Sequence, residues 1–170
     1  MHHVIDMELS RLQMDIVVLQ EMRLPDMGSV KEKNFSFWRG KLLNETREYG
    51  VGFAVRNTLL RSIVPPTVGS ERILSLQLHP SVGPVALISA YAPTLSSTTE
   101  VKDKFYDDLT ATANKIPERE PLFILGDFNS KVGADHNSWP TCLGCFGIGK
   151  MNENGQCLEF CWYLCQRHVL

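Results

Sequence analysis

The sequence predicts a mixed α/β domain in which sheet material is covered by helices, and three observations carry that prediction. Short apolar runs recur along the chain, as DIVVLQ at 15–20, VALISAY at 85–91 and LFIL at 122–125. They have strand length and are rich in β-branched residues or bounded by Gly, Pro and Asp. Between the last two, Val101, Phe105, Leu109 and Ala113 fall on one face of a helix, with Lys and Asp on the other. Near the start, Val4, Ile5, Leu9 and Leu12 also fall near helical spacing. Strands alternating with amphipathic helices bury their apolar sides by layering.

The elements follow in order. A first helix is expected over His3 to Met14. Asp15 to Gln20 is a continuous apolar run that suits a strand buried on both faces. Residues 22–34, with Pro25, Asp26 and Gly28, read as loop. Phe35 to Arg39 and Gly50 to Val55 are strand candidates, and Thr58 to Ser70 reads as loop or edge around Pro65-Pro66. Leu74, Leu76 and Leu78 alternate with polar residues, and a turn at Pro80, Gly83 and Pro84 leads into Val85 to Tyr91, which predicts a β-hairpin. Ser97 to Glu100 reads as a helix entry, and Pro117 closes the helix expected over 99–115. Leu122 to Leu125 is the next strand. Residues 130–153 are glycine-rich loop, and Asn154-Gly155 reads as the cap of a final helix over about 156–167. No repeat or linker interrupts the pattern, so residues 1–170 are expected to belong to one domain.

Charge and composition narrow the function. The net charge is −2, without the basic excess by which passive nucleic-acid binders neutralise phosphates. An enzyme that meets phosphate through a metal ion is not excluded, because the metal supplies positive charge. No apolar stretch approaches the roughly 20 residues of a membrane span, and the N-terminal residues lack a signal-peptide layout. The expectation is a soluble intracellular protein with no membrane partner. The five cysteines are Cys142, Cys145, Cys157, Cys161 and Cys165. Cys142 and Cys145 have the spacing of a zinc or redox pair, with Cys161, Cys165, His136 and His168 as nominal further ligands. Cys157, Cys161 and Cys165 repeat on one helix face and suit small core residues, and Trp139, Phe146 and Trp162 read as core or packing residues rather than base-stacking platforms.

Three strands end in residues of reactive type. Ile16–Leu19 runs into Gln20-Glu21, Leu87–Ala90 into Tyr91, and Phe123–Leu125 into Gly126-Asp127-Phe128-Asn129. Side by side, these strands would gather Glu21, Tyr91, Asp127 and Asn129 at one rim. Carboxylates hold a hard cation such as Mg²⁺ through oxygen. A carboxylate beside a metal orients or deprotonates water, while an amide and a phenol donate to phosphate oxygens. Gly126 lets another backbone come close. The plainer alternatives are an Asx-turn at Asp127–Asn129, a solvated Glu21 and an ordinary half-buried Tyr91.

As a set, DIVVLQE, VALISAYAP and LFILGDFNSKVG resemble the endonuclease/exonuclease/phosphatase (DNase I-like) superfamily. GDFNSKVG and the downstream WPTCLGCFGIGKMNENGQCLEFC are similar to its LINE-type, retrotransposon-derived endonucleases. The resemblance runs from about Met7 to the C-terminus. It implies a four-layer α/β sandwich, two mixed sheets face to face with helices outside. It also implies roles: Glu21 binds Mg²⁺ (with Mn²⁺ as a substitute), Tyr91 contacts the scissile phosphate, Asp127 activates the attacking water and Asn129 steadies the phosphoryl transition state. DNA in the nucleus is the implied ancestral substrate.

Family members carry a first strand with a metal-binding Asn and a closing Ser-Asp-His motif. Here the sequence opens at the following helix and closes at Arg167-His168-Val169-Leu170, with no Asp before His168. The resemblance therefore implies a partial domain with exposed apolar edges. It also implies little activity, since each lost donor costs about 10²–10³ in rate. The competing expectations are a catalytically dead remnant acting as an interaction module and a phosphatase on a small phosphoester such as an inositol phosphate. GIGKMNENG favours the nuclease over the phosphatase. A zinc module on Cys142 and Cys145 is the remaining alternative. Oligomeric state leaves no signal in the sequence.

Overall fold

The computed structural model of the chain describes residues 2–22, 29–40, 50–66, 69–138 and 146–158. Helix α1 (His2–Arg11) leads into strand β1 (Ile16–Leu19), followed by β2 (Ser29–Lys31), β3 (Phe35–Gly40) and β4 (Val51–Arg56). These strands form one antiparallel sheet in the order β1-β4-β3-β2. A 3₁₀ turn (Asn57–Ser62) crosses to the second sheet, made of β5 (Ile63–Val64), β6 (Ile73–Leu78), β7 (Val85–Tyr91) and β8 (Leu122–Asp127) in that order. The β6–β7 pair is the antiparallel hairpin that the turn residues predict. The β7–β8 pair is parallel. A parallel pair needs a crossover connection, and helix α2 (Thr99–Ala113) supplies it.

The two sheets lie face to face with a helix outside each, giving four layers. Strand alternation assigns each side chain to a layer. In β4, Val51, Phe53 and Val55 enter the core between the sheets, with Leu74, Leu76, Leu87 and Tyr91 from the opposite sheet. Ala54, between them in sequence, faces α1 and packs with Leu9, Phe35 and Phe37. In β7, Ala86, Ile88 and Ala90 face α2 and meet Phe105, Leu109 and Ala113. Three of the four residues of the predicted α2 stripe, Phe105, Leu109 and Ala113, form this buried face, whereas Val101 in the first turn is exposed. Asp6 of α1 is fully buried and fastens the helix to the start of β3. Its carboxylate accepts from the Asn34 backbone (2.9 Å), the Phe35 backbone (2.8 Å) and the Asn34 side chain (2.7 Å).

Four expectations are corrected. β1 is half-buried along its whole length, because it ends its sheet among the described residues and has β4 as its neighbour on one side. The stretch read as loop at 22–34 contains β2, an exposed edge strand that pairs with β3. Helical residues begin at 153, three before the expected start. Phe146 is 93 % exposed and fills no core. On the inner face of β8, Phe123 and Leu125 are also exposed, so the apolar layer is open beyond this strand among the described residues. No helix there is long and apolar enough to cross a membrane.

Candidate active site

The parallel register aligns Ala90 with Gly126 and Tyr91 with Asp127, which puts the tyrosine and the aspartate side by side at the ends of β7 and β8. Gly126 is required there: a Cβ would collide with the Ala90 carbonyl, and its φ is +153°. The Ala92 N–H donates to the Asp127 carbonyl at 2.9 Å and carries the pairing one residue further. The chain then turns sharply. The Asp127 Oδ1 accepts the Asn129 backbone N–H at 2.8 Å, and Asn129 sits in the left-handed region at φ +48°. The Asx-turn weighed as the plain alternative does form. It also folds Asn129 back, so that its side-chain Nδ2 donates to the Ala92 carbonyl at 2.8 Å.

Glu21 reaches the same place from the other sheet. Leu19 pairs with Gly52, but the Met22 N–H bonds the Gly50 carbonyl at 3.0 Å. Three steps along the β1 chain therefore match two along β4, and the extra residue forms a bulge. Glu21 lies in it at φ +53°, a conformation that a non-glycine residue with a long side chain rarely adopts. A side chain at Gly50 would strike the Met22 carbonyl, so the bulge depends on that glycine. The bulge aims Glu21 across the gap between the sheets, where its Oε1 accepts the Tyr91 hydroxyl at 2.8 Å.

Tyr91 is the meeting point. It is 7 % exposed, while Glu21 and Asp127 are exposed to solvent. Burial, the bond to Glu21 and the charges of Glu21 and Asp127 raise the phenol above its ordinary pKa, and a hydrogen bond from Asn129 opposes them. Tyr91 thus stays protonated, a donor rather than a base, throughout the neutral range. From behind, Arg72 exchanges backbone contacts with it. The Tyr91 N–H donates to the Arg72 carbonyl (2.8 Å), the Arg72 Nη1 donates to the Tyr91 carbonyl (3.2 Å), and the guanidinium carbon lies 5.7 Å from the ring centre.

All four residues singled out in the sequence are therefore drawn to one rim. The sequence reading missed the residues that hold them. Arg72 and Gly50 gave no local signal. Asn154, read as a helix cap, is not one. Asn152 does the capping: its Oδ1 accepts the Gly155 N–H at 2.8 Å. Asn154 is instead buried at 2 % exposure, and its amide donates to the Pro93 carbonyl (2.9 Å) and the Asn129 carbonyl (3.1 Å). His136 lies in a short 3₁₀ turn (His136–Ser138). Cys157 is a half-buried free thiol, and Cys142, Cys145, Cys161 and Cys165, with Trp139, Trp162 and His168, lie outside the described residues.

The donor set of this rim is oxygen. Among the described residues no three His, Cys, Asp or Glu side chains cluster closely enough to hold a metal by themselves. That excludes an all-protein cage there but fits Mg²⁺, which is commonly held by one or two carboxylates while water and phosphate complete its shell. Glu21 and Asp127 meet that requirement in type and exposure.

Two sheets face to face with a helix outside each, and acidic and amide side chains gathered at the strand ends, define an α/β sandwich with a polar rim. The Endonuclease/Exonuclease/phosphatase family matches residues 3–164, nearly the whole sequence, and the chain belongs to that family. Craniofacial development protein 2 from Bos taurus is 29 % identical over 160 residues, covering 93 % of this chain and 26 % of the relative. Its counterpart from Tragulus javanicus is also 29 % identical, with 27 % of its length covered. The chain thus spans about a quarter of the curated relatives it matches. Among solved structures, the endonuclease domain of TRAS1, a telomere-specific non-LTR retrotransposon, superposes with a TM-score of 0.63 at 13 % identity. That match covers 96 % of this chain and 65 % of the other, and it establishes the shared fold.

Proposed function

We propose that the rim formed by Glu21, Tyr91, Asp127 and Asn129 hydrolyses a DNA phosphodiester with the help of Mg²⁺. The observation that carries this reading is the bond from Tyr91 to Glu21, which joins the two sheets at the edge where Asp127 and Asn129 also sit. Family membership and the likeness to a retrotransposon endonuclease domain support it.

The chemistry divides among the side chains. Glu21 would hold Mg²⁺, with water and phosphate completing its shell, and the bound ion would neutralise phosphate charge and polarise the bond to be cut. Asp127, exposed at the end of β8, orients the attacking water and accepts its proton. Its own orientation is fixed by the Asn129 N–H. Tyr91, kept protonated, donates to a non-bridging phosphate oxygen as charge gathers there. Asn129 holds the phenol from one side while its amide also donates to the Ala92 carbonyl, and so steadies the phosphoryl transition state through Tyr91.

Plasmid nicking by the purified chain in Mg²⁺ tests this reading, with EDTA and Asp127→Ala as controls. Nicking abolished by both controls is expected. A folded chain that leaves the plasmid intact but releases phosphate from an inositol phosphate would move the substrate to a small phosphoester. A folded chain inert toward both would leave a non-catalytic remnant.

A further inference from the structure

The loop after β7, the turn after β8 and the helical turn at 153–158 are tied together by backbone hydrogen bonds that converge on two asparagines. Asn152 bonds the middle segment in both directions. Its Oδ1 accepts the Lys131 N–H at 3.0 Å, and its N–H donates to the Lys131 carbonyl at 3.0 Å. Asn154 spans the other two segments. A primary amide carries two N–H groups in one plane, and here they reach the carbonyls of Pro93 and Asn129. The Phe128 carbonyl lies at 3.5 Å from the same nitrogen. With 2 % exposure, the Asn154 side chain has no call on solvent.

The geometry points to Asn154 as a positioning residue for the active site, acting through Asn129 and, through it, on Tyr91. Asn129 holds a left-handed backbone conformation, and its carbonyl and its side chain are each held by a separate hydrogen bond. Asn154 fixes that carbonyl on one side. Ala92, adjacent to Pro93, receives the Asn129 side chain on the other. The two ends of Asn129 are thereby referred to Ala92 and Pro93, which directly follow Tyr91 at the end of β7. Without the Asn154 bridge, the turn after β8 keeps its Asx bond to Asp127 but loses its reference to Pro93. The Asn129 amide is then free to leave the Tyr91 hydroxyl. This role rests on the reading of the rim as a hydrolytic site, but the side-chain placement itself can be measured without activity.

The test is Asn154→Ala in the full chain, labelled with fluorotyrosine, with Tyr91→Phe used to assign the fluorine resonance. Wild-type and variant are compared by fluorine NMR and by nicking kinetics. The Tyr91 resonance is expected to shift and the Tyr106 resonance, on α2, to stay. The kcat is expected to fall about 10²-fold with KM changed less than about threefold, the pattern of a misplaced group rather than lost binding. A folded variant whose Tyr91 resonance does not move would overturn the proposal, whatever its activity. Equal losses at Tyr91 and Tyr106 would also overturn it, since they would show general loosening. If wild-type protein does not nick, the hydrolytic reading fails while the resonance still decides the placement. Should Asn154→Ala not fold, Asn154→Ser, which keeps one donor, is read by the same two resonances.

Discussion

The two halves of the rim are built differently. On the β7–β8 side, Tyr91, Asp127 and Asn129 are fixed by parallel register, an Asx-turn, the Ala92 bonds and Asn154, and the strand beneath Tyr91 is buried. On the β1 side, Glu21 stands on a bulge at the end of a half-buried strand and meets the other half through the Tyr91 hydroxyl. The difference follows from the chemistry proposed for each half. Groups that orient water and donate to phosphate must be held to a fraction of an ångström. A metal-binding carboxylate adjusts to the ion and its waters, so a looser mount suffices.

This contrast can be broken by substitution, beginning with the largest effect. Asp127→Ala should reduce nicking about 10³-fold while the melting curve is nearly unchanged, because the side chain is exposed and its partner, the Asn129 N–H, can turn to water. Gly126→Ala should act on the same half through stability. The new Cβ meets the buried Ala90 carbonyl across the parallel pairing, and a loss of about 3 kcal/mol is expected in urea unfolding. The opposite half should tolerate change: Glu21→Gln should leave unfolding within about 0.5 kcal/mol of the parent and raise the Mg²⁺ needed for half-maximal nicking. A Glu21→Gln variant destabilised as much as Gly126→Ala would erase the distinction.

Asp6 sharpens the comparison from outside the site. Burial pushes its carboxyl up, but the bonds from Asn34 and Phe35 outweigh burial and hold it below the ordinary value of 3.8. Because its folded-state pKa is depressed, the unfolded chain takes up the proton first. The stabilising contribution is complete above that ordinary value and is lost as pH falls through the lower folded-state value. Asp6→Asn should cost about 1–3 kcal/mol at neutral pH, since Asn34 then meets a donor where it needs an acceptor. It should also flatten the acid limb of the stability curve, read by thermal melts from neutral to acidic pH. An unchanged acid limb would mean that α1 is held by its apolar face alone.

Much of this architecture was legible in the sequence because its determinants are local. Leu74, Leu76 and Leu78 announce a strand by alternation, the Pro80–Pro84 turn announces the hairpin, and the i+4 stripe of α2 names its buried face. The strand-end residues were legible for the same reason, since an apolar run that stops at Glu21, Tyr91 or Asp127 places them at a sheet rim. What failed depends on partners distant in sequence. The run at 15–20 looks buried on both faces, but its exposure is set by which strands flank it. β2 has no apolar alternation and exists because β3 pairs with it. Asn154 in an Asn-Gly pair has the composition of a cap, and only the tertiary structure reveals that Asn152 caps while Asn154 bridges. The bulge at Glu21 is a register effect that no local pattern encodes.

In the proposed function, Glu21 and Tyr91 belong to one metal-dependent site assembled from both sheets. Titrating Mn²⁺ into the fluorotyrosine-labelled chain tests it most directly, because the paramagnetic ion broadens resonances close to where it binds. Selective broadening of Tyr91 over Tyr106 is expected, reversed by EDTA and strongly weakened by Glu21→Gln. Broadening that spares Tyr91, or that persists undiminished in Glu21→Gln, would contradict it.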